Sequence, residues 1–387
     1  MIRHLVLVGV GPGHFRFLQG LLKKRSADIA ITLIARQVRY VSTRHLLRAV
    51  AGQLALDECG VLIQPLLRQV NVNWLDHKVQ AIDPGARVLL LDDGRELRFD
   101  WLSLELEPAH VRELIERDLP GARACGLFLR PREAFCKHWP RVAELAAERP
   151  LRVAVICGGA GGPVAAVPNS APAVDWPQQK FAIELALAVR QAFKGSAVTL
   201  ITGGSPLASH SNPAFQTAIQ LALKRFQVTV LMDAAIGLQS AEVTLQSSAR
   251  LACDLPLLAL QTQLHVLALG SGLALNDAGA IELDGAQRSS SHTHVLASDS
   301  SEPAARRLAA SLQAVADGKA HAAPRHASTP RGQGDSAGAG AGSGSGSSSV
   351  ASAQMLRCGN GQWIVSCGGW AWRSRFLGAA IDWAAQR

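Results

Sequence analysis

The chain is poor in aromatic side chains: they make up 5% of its 387 residues, and Tyr40 is the one tyrosine. A stacking platform for single-stranded nucleic acid needs many more, so no nucleic-acid partner is expected. Charge is also sparse at 18%, with a net excess of +9. That excess favours anionic partners, yet the basic residues are scattered, and only "KKR" at 23–25 forms a tight cluster. No run reaches the ~20 apolar residues of a membrane-spanning helix. The N-terminus passes from Arg3 straight into a strand-like run and glycines, without the pattern of a secretory leader, and a cytoplasmic location is expected. The seven cysteines (Cys59, Cys125, Cys136, Cys157, Cys253, Cys358 and Cys367) form no C-x-x-C or C-x-x-x-x-C pair. Clustered Cys/His spacing for zinc is absent, so no metal site is expected. Reduced thiols are expected, and with no cysteine pair disulfide chemistry is excluded.

Apolar residues are plentiful, at 48%, enough for a large core. Residues 2–8 read as a buried parallel strand, 14–25 as a helix, and "IAITLIA" at 29–35 as the next strand. The first turn between them is glycine-rich. "VLLLDDGRELRFDWLSLEL", 88–106, reads as a hairpin around Asp93-Gly94 followed by a strand returning to the first sheet. A second unit opens at "LRVAVICGGAGG", 151–162, with a helix at 181–193, a strand at 197–204, and helix then strand over 212–233. Two β-α-β starts thus stand in one chain. Residues 251–301 are strand-rich. The stretch 316–353 is low in complexity and reads as a flexible linker, and 370–387 as an amphipathic helix.

A phosphate cradle needs a tight turn, a bare backbone and a helix N-terminus aimed at the ligand. Gly9, Gly11 and Gly13 supply these after the first strand, while His14 stands where a small residue is usual. The acidic ribose ligand expected after the second strand is missing; Arg36 stands there, facing a phosphate or plain solvent. Gly158, Gly159 and Gly161 also suit a nucleotide, but Pro163 and a Pro/Ala-rich insertion, 163–180, separate them from the next helix. Glu184 lies on that apolar helix. Asp299 precedes a late helix, either as its N-cap or as a hydrogen-bonding partner of a ribityl or phosphate group.

These segments, in this order, resemble the pyridine nucleotide–disulfide oxidoreductase superfamily, and within it the type II NADH dehydrogenase-like branch related to the reductase modules fused to selenide, water dikinase. "HLVLVGVGPGHFRFLQGL" is similar to that branch's "LVLVGGGHAHxxxLxxL", which also has a histidine at the third position. "DDGRELRFDWLSLEL" is similar to its "xDGRxLxYDxLSLDxGS", and "LRPREAFCKHW" to "KPxxxFxxxW". "GSGLALNDAGAIELDGAQRSSSHTHVLASDSS" and "WAWRSRFLGAAIDW" match its later and C-terminal motifs. The resemblance implies an α/β fold of two nested Rossmann-like dinucleotide-binding domains with a small C-terminal segment. FAD would sit in the first domain and NAD(P)H in the second, with electrons passing to a quinone or another small-molecule acceptor. Gly9 and Gly11 would face the FAD pyrophosphate, Asp299 its ribityl–phosphate part, and Glu184 the flavin, nicotinamide or quinone. Residues 370–387 would either dock onto the protein's own domains or make peripheral contact with the inner membrane.

The implied organisation is FAD-binding over 1–148 and 251–315, NAD(P)-binding over 149–250, a linker over 316–353 and a terminal segment over 354–387. Several departures stand at cofactor-facing elements: Glu107-Pro108 for "GS", Ser298-Asp299 for "GD", the insertion, and Arg373-Ser374 for "KD". They motivate a rival expectation, a catalytically degenerate relative kept as a binding or scaffold protein.

Overall fold

The structure is a computed structural model describing residues 2–24, 29–36, 39–55, 57–106, 112–158, 176–209, 211–260, 267, 270–276, 280–298, 301–319, 354–358, 362–367 and 370–374. Strand β1 (Arg3–Val8) buries Leu5, Val6, Leu7 and Val8 in succession. A strand covered on both faces reads as a continuous apolar run, as parallel strands do. It pairs in parallel with β2 (Ile29–Ile34), with Arg3 opposite Ile29 and Val8 opposite Ile34. Helix α1 (Pro12–Lys23) connects them, with Pro12 in its first turn and Phe17, Leu18 and Leu21 buried. Each such side chain stabilises by about 1.5–3 kcal/mol.

The first sheet runs Val295–Ala297, Trp101–Leu104, β1, β2, Asn73–Leu75, all parallel. Its order reverses between β1 and Trp101–Leu104, which makes the carboxyl end of these two strands the crevice where ligands bind in such sheets. The second sheet repeats the plan: Leu127–Phe128, Leu255–Leu258, Arg152–Ile156, Ala197–Ile201, Val228–Leu231, again all parallel. In both halves a three-stranded antiparallel meander precedes the returning strand. It spans Val79–Asp83 to Glu96–Arg98 in the first and Ala235–Gln239 to Arg250–Ala252 in the second. The first sheet is completed by Val295–Ala297, after the second has been built, so the second unit is nested within the first. Helix Glu302–Ala316 then packs Leu308, Leu312 and Val315 into the core under α1.

Three expectations need correction. The helix assigned to 181–193 begins at Trp176 (Trp176–Ala192), so it takes in the last residues of the 163–180 stretch. The helix before the linker runs to Ala316, and its N-cap is Ser301, whose hydroxyl accepts from Ala304 N. Most directly, Trp370–Ser374 is a strand and not the start of an amphipathic helix. It pairs antiparallel with Trp363–Cys367, which pairs in turn with Gln354–Arg357. "WAWRS" carries two β-prone tryptophans two residues apart, and the adjacent strand offers a complete ladder that outweighs helical periodicity. Residues 375–387 and 320–353 lie outside the described residues.

Candidate functional site

Gly9 follows β1 directly, at φ +81°, and a Cβ there would lie 2.3 Å from the Glu105 carbonyl oxygen. Only glycine tolerates both the conformation and the approach. Gly11 is the N-cap residue of α1 and is buried. Gly13 allows close packing of the helices: a Cβ would meet Leu308 Cδ2 at 2.9 Å and the Ala305 carbonyl oxygen at 3.2 Å.

His14 is fully buried behind the loop rather than facing an opening. Its Nδ1 lies 2.8 Å from the Gly9 carbonyl, which can only accept, so Nδ1 carries the hydrogen. Nε2, 2.8 Å from Ser103 Oγ, therefore accepts from that hydroxyl. Burial holds the imidazole below its ordinary range, against the opposing pull of Glu105 and the Gly9 carbonyl. A neutral histidine thus locks the glycine turn to the returning strand.

No motif in the sequence singles out Glu105. It follows Trp101–Leu104 directly and is 1% exposed. Its backbone N–H donates to Val8 O at 3.0 Å, which puts it level with the glycine turn. Its carboxylate accepts from Gly13 N at 2.8 Å and from His14 N at 2.6 Å. An acidic residue closing the apolar run "DWLSLEL", at the strand end beside the glycines, was the signal available for it.

Two openings flank this turn. The larger, about 390 Å³, is bounded by Val10, Gly11 and Pro12 on one side and by Tyr40, Glu184 and Trp363 on others. Six cationic side chains (Arg39, Arg44, Arg130, Arg132, Lys180 and Arg357) line it, against four carboxylates, Glu105, Glu133, Glu184 and Glu302. Tyr40 stacks on Phe15 with ring centres 4.5 Å apart, and burial pushes its phenol up to about 12. The smaller opening, about 170 Å³, lies past Gly9, between Ile34–Arg36 and His77–Val79. Arg36 is exposed at its mouth and ion-paired to Asp92 at 3.2 Å.

Glu184 reaches the larger opening from helix Trp176–Ala192. Its Oε1 accepts from Arg357 N at 2.9 Å, tying the helix to the C-terminal sheet. Burial pushes its carboxyl up, while Lys180 and both the N–H and the charge of Arg357 pull it down. The structure therefore brings Gly11 and Glu184 to one cavity, and Gly9 and Arg36 to its neighbour. Gly158 turns the second loop at φ +83°, against Gly203. Gly159, Gly161, Asp299 and Glu107 lie outside the described residues.

The exclusion of disulfide chemistry is too broad. Cys59 and Cys136, 77 positions apart, stand with Sγ atoms 3.3 Å from each other. The hydrogen bond to Cys136 holds the Cys59 thiol below its ordinary range despite burial, with Arg132 and Arg39 adding to the effect, and Cys136 is pushed up. Cys157 is buried in the core. Among the described residues, His77, Asp92 and Asp93 stand close enough to share an ion. Arg36 and Arg95 already pair with these groups.

Two parallel sheets, the second nested in the first and each with its own meander, form a two-domain α/β fold. Comparison with solved structures shows the same fold. The chain is similar to the sulfide:quinone oxidoreductase of Aquifex aeolicus, with a TM-score of 0.66 and 15% identity over 98% of this chain and 90% of that one. It is similar to NDH2 from Plasmodium falciparum, solved in complex with NADH, with a TM-score of 0.68 and 14% identity over 100% of this chain and 94% of that one. A third similar structure is the NAD-dependent persulfide reductase from A. fulgidus, with a TM-score of 0.64 and 16% identity over 94% of this chain and 64% of that one. In sequence, a stretch of 111 residues is 26% identical to the sulfide-quinone reductase of Aquifex aeolicus (strain VF5). That stretch is 29% of this chain and 26% of the relative. No family model matches the chain.

Proposed function

We propose that the chain is an FAD-dependent oxidoreductase that accepts hydride from NAD(P)H and passes electrons to a quinone or another small-molecule acceptor. One observation carries this reading: the glycine turn at the first switch point separates two openings, and the larger is walled by Glu184 from the second unit. A dinucleotide is a long ligand with a compact centre and two bulky ends, and this arrangement suits it. The residues fit FAD at both ends. Val10, Gly11, Tyr40 and Glu184 would border its flavin half, and Arg36, Val79 and Leu106 its adenosine half. FAD, when bound, supplies the two-electron chemistry between nicotinamide and acceptor.

The protein's part is position and charge. The cationic lining favours electron-rich groups inside the larger opening. Glu184 Oε1 is held by the Arg357 N–H, which leaves Oε2 to carry a proton, and the upward push of burial makes that proton available nearer neutral pH. A reduced quinone needs such a proton. A scaffold has no need of a 390 Å³ opening bordered by a buried carboxyl group whose proton affinity burial raises.

Among the described residues, no helix is long and apolar enough to cross a membrane. The proposal includes peripheral contact through residues 370–387. It is supported by Trp370, 80% exposed, and Trp372, 43% exposed, beside Arg373. Tryptophan with arginine suits a lipid–water interface.

A visible spectrum of the purified protein, with added FAD and then NADH or NADPH under anaerobic conditions, tests the reading. Stoichiometric flavin absorbance that bleaches on adding the nicotinamide is the expected result. A protein that stays colourless after FAD is added, with Glu105 present or replaced by alanine, refutes it. Flotation with anionic vesicles, with and without residues 370–387, tests the membrane contact; equal flotation of both chains refutes it.

A further inference from the structure

We propose that Glu105 is a resident anion that occupies the phosphate position at the N-terminus of α1, so that a flavin dinucleotide binds only by displacing it. The inference rests on the FAD reading above and concerns the centre of that site. A helix N-terminus binds anions through the free N–H groups of its first turn and the positive end of its dipole. In α1 those groups are all engaged. Pro12 has no N–H. Gly13 N and His14 N donate to the two Glu105 carboxylate oxygens at 2.8 and 2.6 Å. Phe15 N donates to Gly11 O at 3.0 Å, within the helix.

The space is filled as well as the donors. A Cβ on Gly11 would lie 2.5 Å from the Glu105 carboxyl carbon and 2.7 and 2.8 Å from its oxygens. The bare face of Gly11, which in a dinucleotide cradle lets the pyrophosphate approach, is covered by the carboxylate. His14 does not offset the negative charge, since burial holds its ring neutral and both ring nitrogens are engaged. Glu105 thus imitates a bound phosphate in charge and in hydrogen bonding, and an incoming pyrophosphate meets both an occupied cradle and a like charge.

The carboxylate is at the end of a flexible side chain, so displacement needs a rotamer change rather than a backbone shift. The protein therefore holds a built-in competitor against dinucleotides that does not act on a flavin lacking phosphate. Apparent affinity falls by the fraction of molecules in which the cradle is open.

The test compares wild type with Glu105→Ala and Glu105→Gln, each stripped of flavin. FAD and riboflavin affinities are measured by quenching of flavin fluorescence, and melting temperature with and without FAD. Glu105→Ala should bind FAD about tenfold more tightly than wild type or better, with Glu105→Gln between them, and riboflavin affinity should be unchanged. Without FAD, Glu105→Ala should melt lower, because two helix N–H groups lose their partner, and its FAD-induced rise in melting temperature should exceed that of wild type. A merely structural residue would give the first loss without the second gain. Folded variants that bind FAD as wild type does, or more weakly, overturn the proposal while leaving the FAD reading intact. If Glu105→Ala fails to fold, Glu105→Gln decides by the same criterion. If no variant and no wild type binds FAD or riboflavin, the FAD reading itself fails and this inference with it.

Discussion

Replacing His14 with leucine should loosen the whole glycine turn, and the size of the effect follows from its partners. The side chain is fully buried, donates from Nδ1 to Gly9 O, and accepts at Nε2 from Ser103. Leucine is apolar and of comparable bulk, so it fills the space but leaves a part-buried carbonyl and a buried hydroxyl without the ring as partner. Each orphan costs about 1–3 kcal/mol, so the local loss is about 3 kcal/mol. Hydrogen exchange of peptides within residues 3–23 reads that loss where it occurs, and their protection should fall about a hundredfold, since 1.4 kcal/mol is a factor of ten. The double variant His14→Leu/Ser103→Ala should lose less than the two single variants summed, because the orphaned hydroxyl is gone. A pH series adds a second check. The folded protein holds His14 below its ordinary value of 6.5. The unfolded chain therefore binds the extra proton first as pH falls. The His14 contribution is intact above about 6.5 and is lost towards lower pH, with a slope of up to about 1.4 kcal/mol per pH unit. Comparing pH 7 with pH 5, after correction for intrinsic exchange rates, wild type should lose local stability that His14→Leu does not. A change in protection of less than tenfold, or strictly additive variants, would refute the assignment.

Two further outcomes are expected. Glu184→Gln keeps an acceptor for Arg357 N, so the fold and flavin content should persist, while turnover with a quinone falls by about 10²–10⁴, the usual contribution of a positioned proton donor; unchanged turnover under steady-state assay would remove Glu184 from the chemistry. Diamide should oxidise the Cys59 and Cys136 thiols to an intramolecular disulfide, itself being reduced to the hydrazine, and peptide mass spectrometry should find that cross-link in wild type and lose it in Cys136→Ser. Absence of the cross-link in the oxidised native protein would show that the 3.3 Å contact does not close.

Much of the fold was legible because buried parallel strands announce themselves as uninterrupted apolar runs. "LVLV" before Gly9 and "VAVI" before Cys157 and Gly158 both ended at glycine turns, and Asp93-Gly94 marked the meander correctly, with Gly94 at φ +82°. The site was legible only where one residue's chemistry decides its place. Gly9 is required by a backbone approach at positive φ, a constraint visible in the string itself. Glu105 is not of that kind. Its role comes from lying opposite α1 once Trp101–Leu104 has paired with β1, which is a property of the register rather than of its neighbours in sequence. The same holds for Cys59 and Cys136, which no spacing rule connects. Trp370–Ser374 shows the converse: five residues with a plausible helical face become a strand because a partner strand lies beside them.

The nesting of one unit inside the other also orders the chain in time. Synthesis runs from the N-terminus, and segments fold as their partners emerge. Strands from Leu127–Phe128 to Leu255–Leu258 are all available before Val295–Ala297 exists, so the inner sheet can close first. The glycine turn must wait. Its helix rests on Leu308, Leu312 and Val315, and Gly13 is shaped by Leu308 and Ala305. Until residue 316 has left the ribosome, the first-made segment of this protein remains its least finished. A ribosome stalled shortly before that point would display a folded inner domain carrying an open, apolar first sheet, the form of the chain most in need of a chaperone.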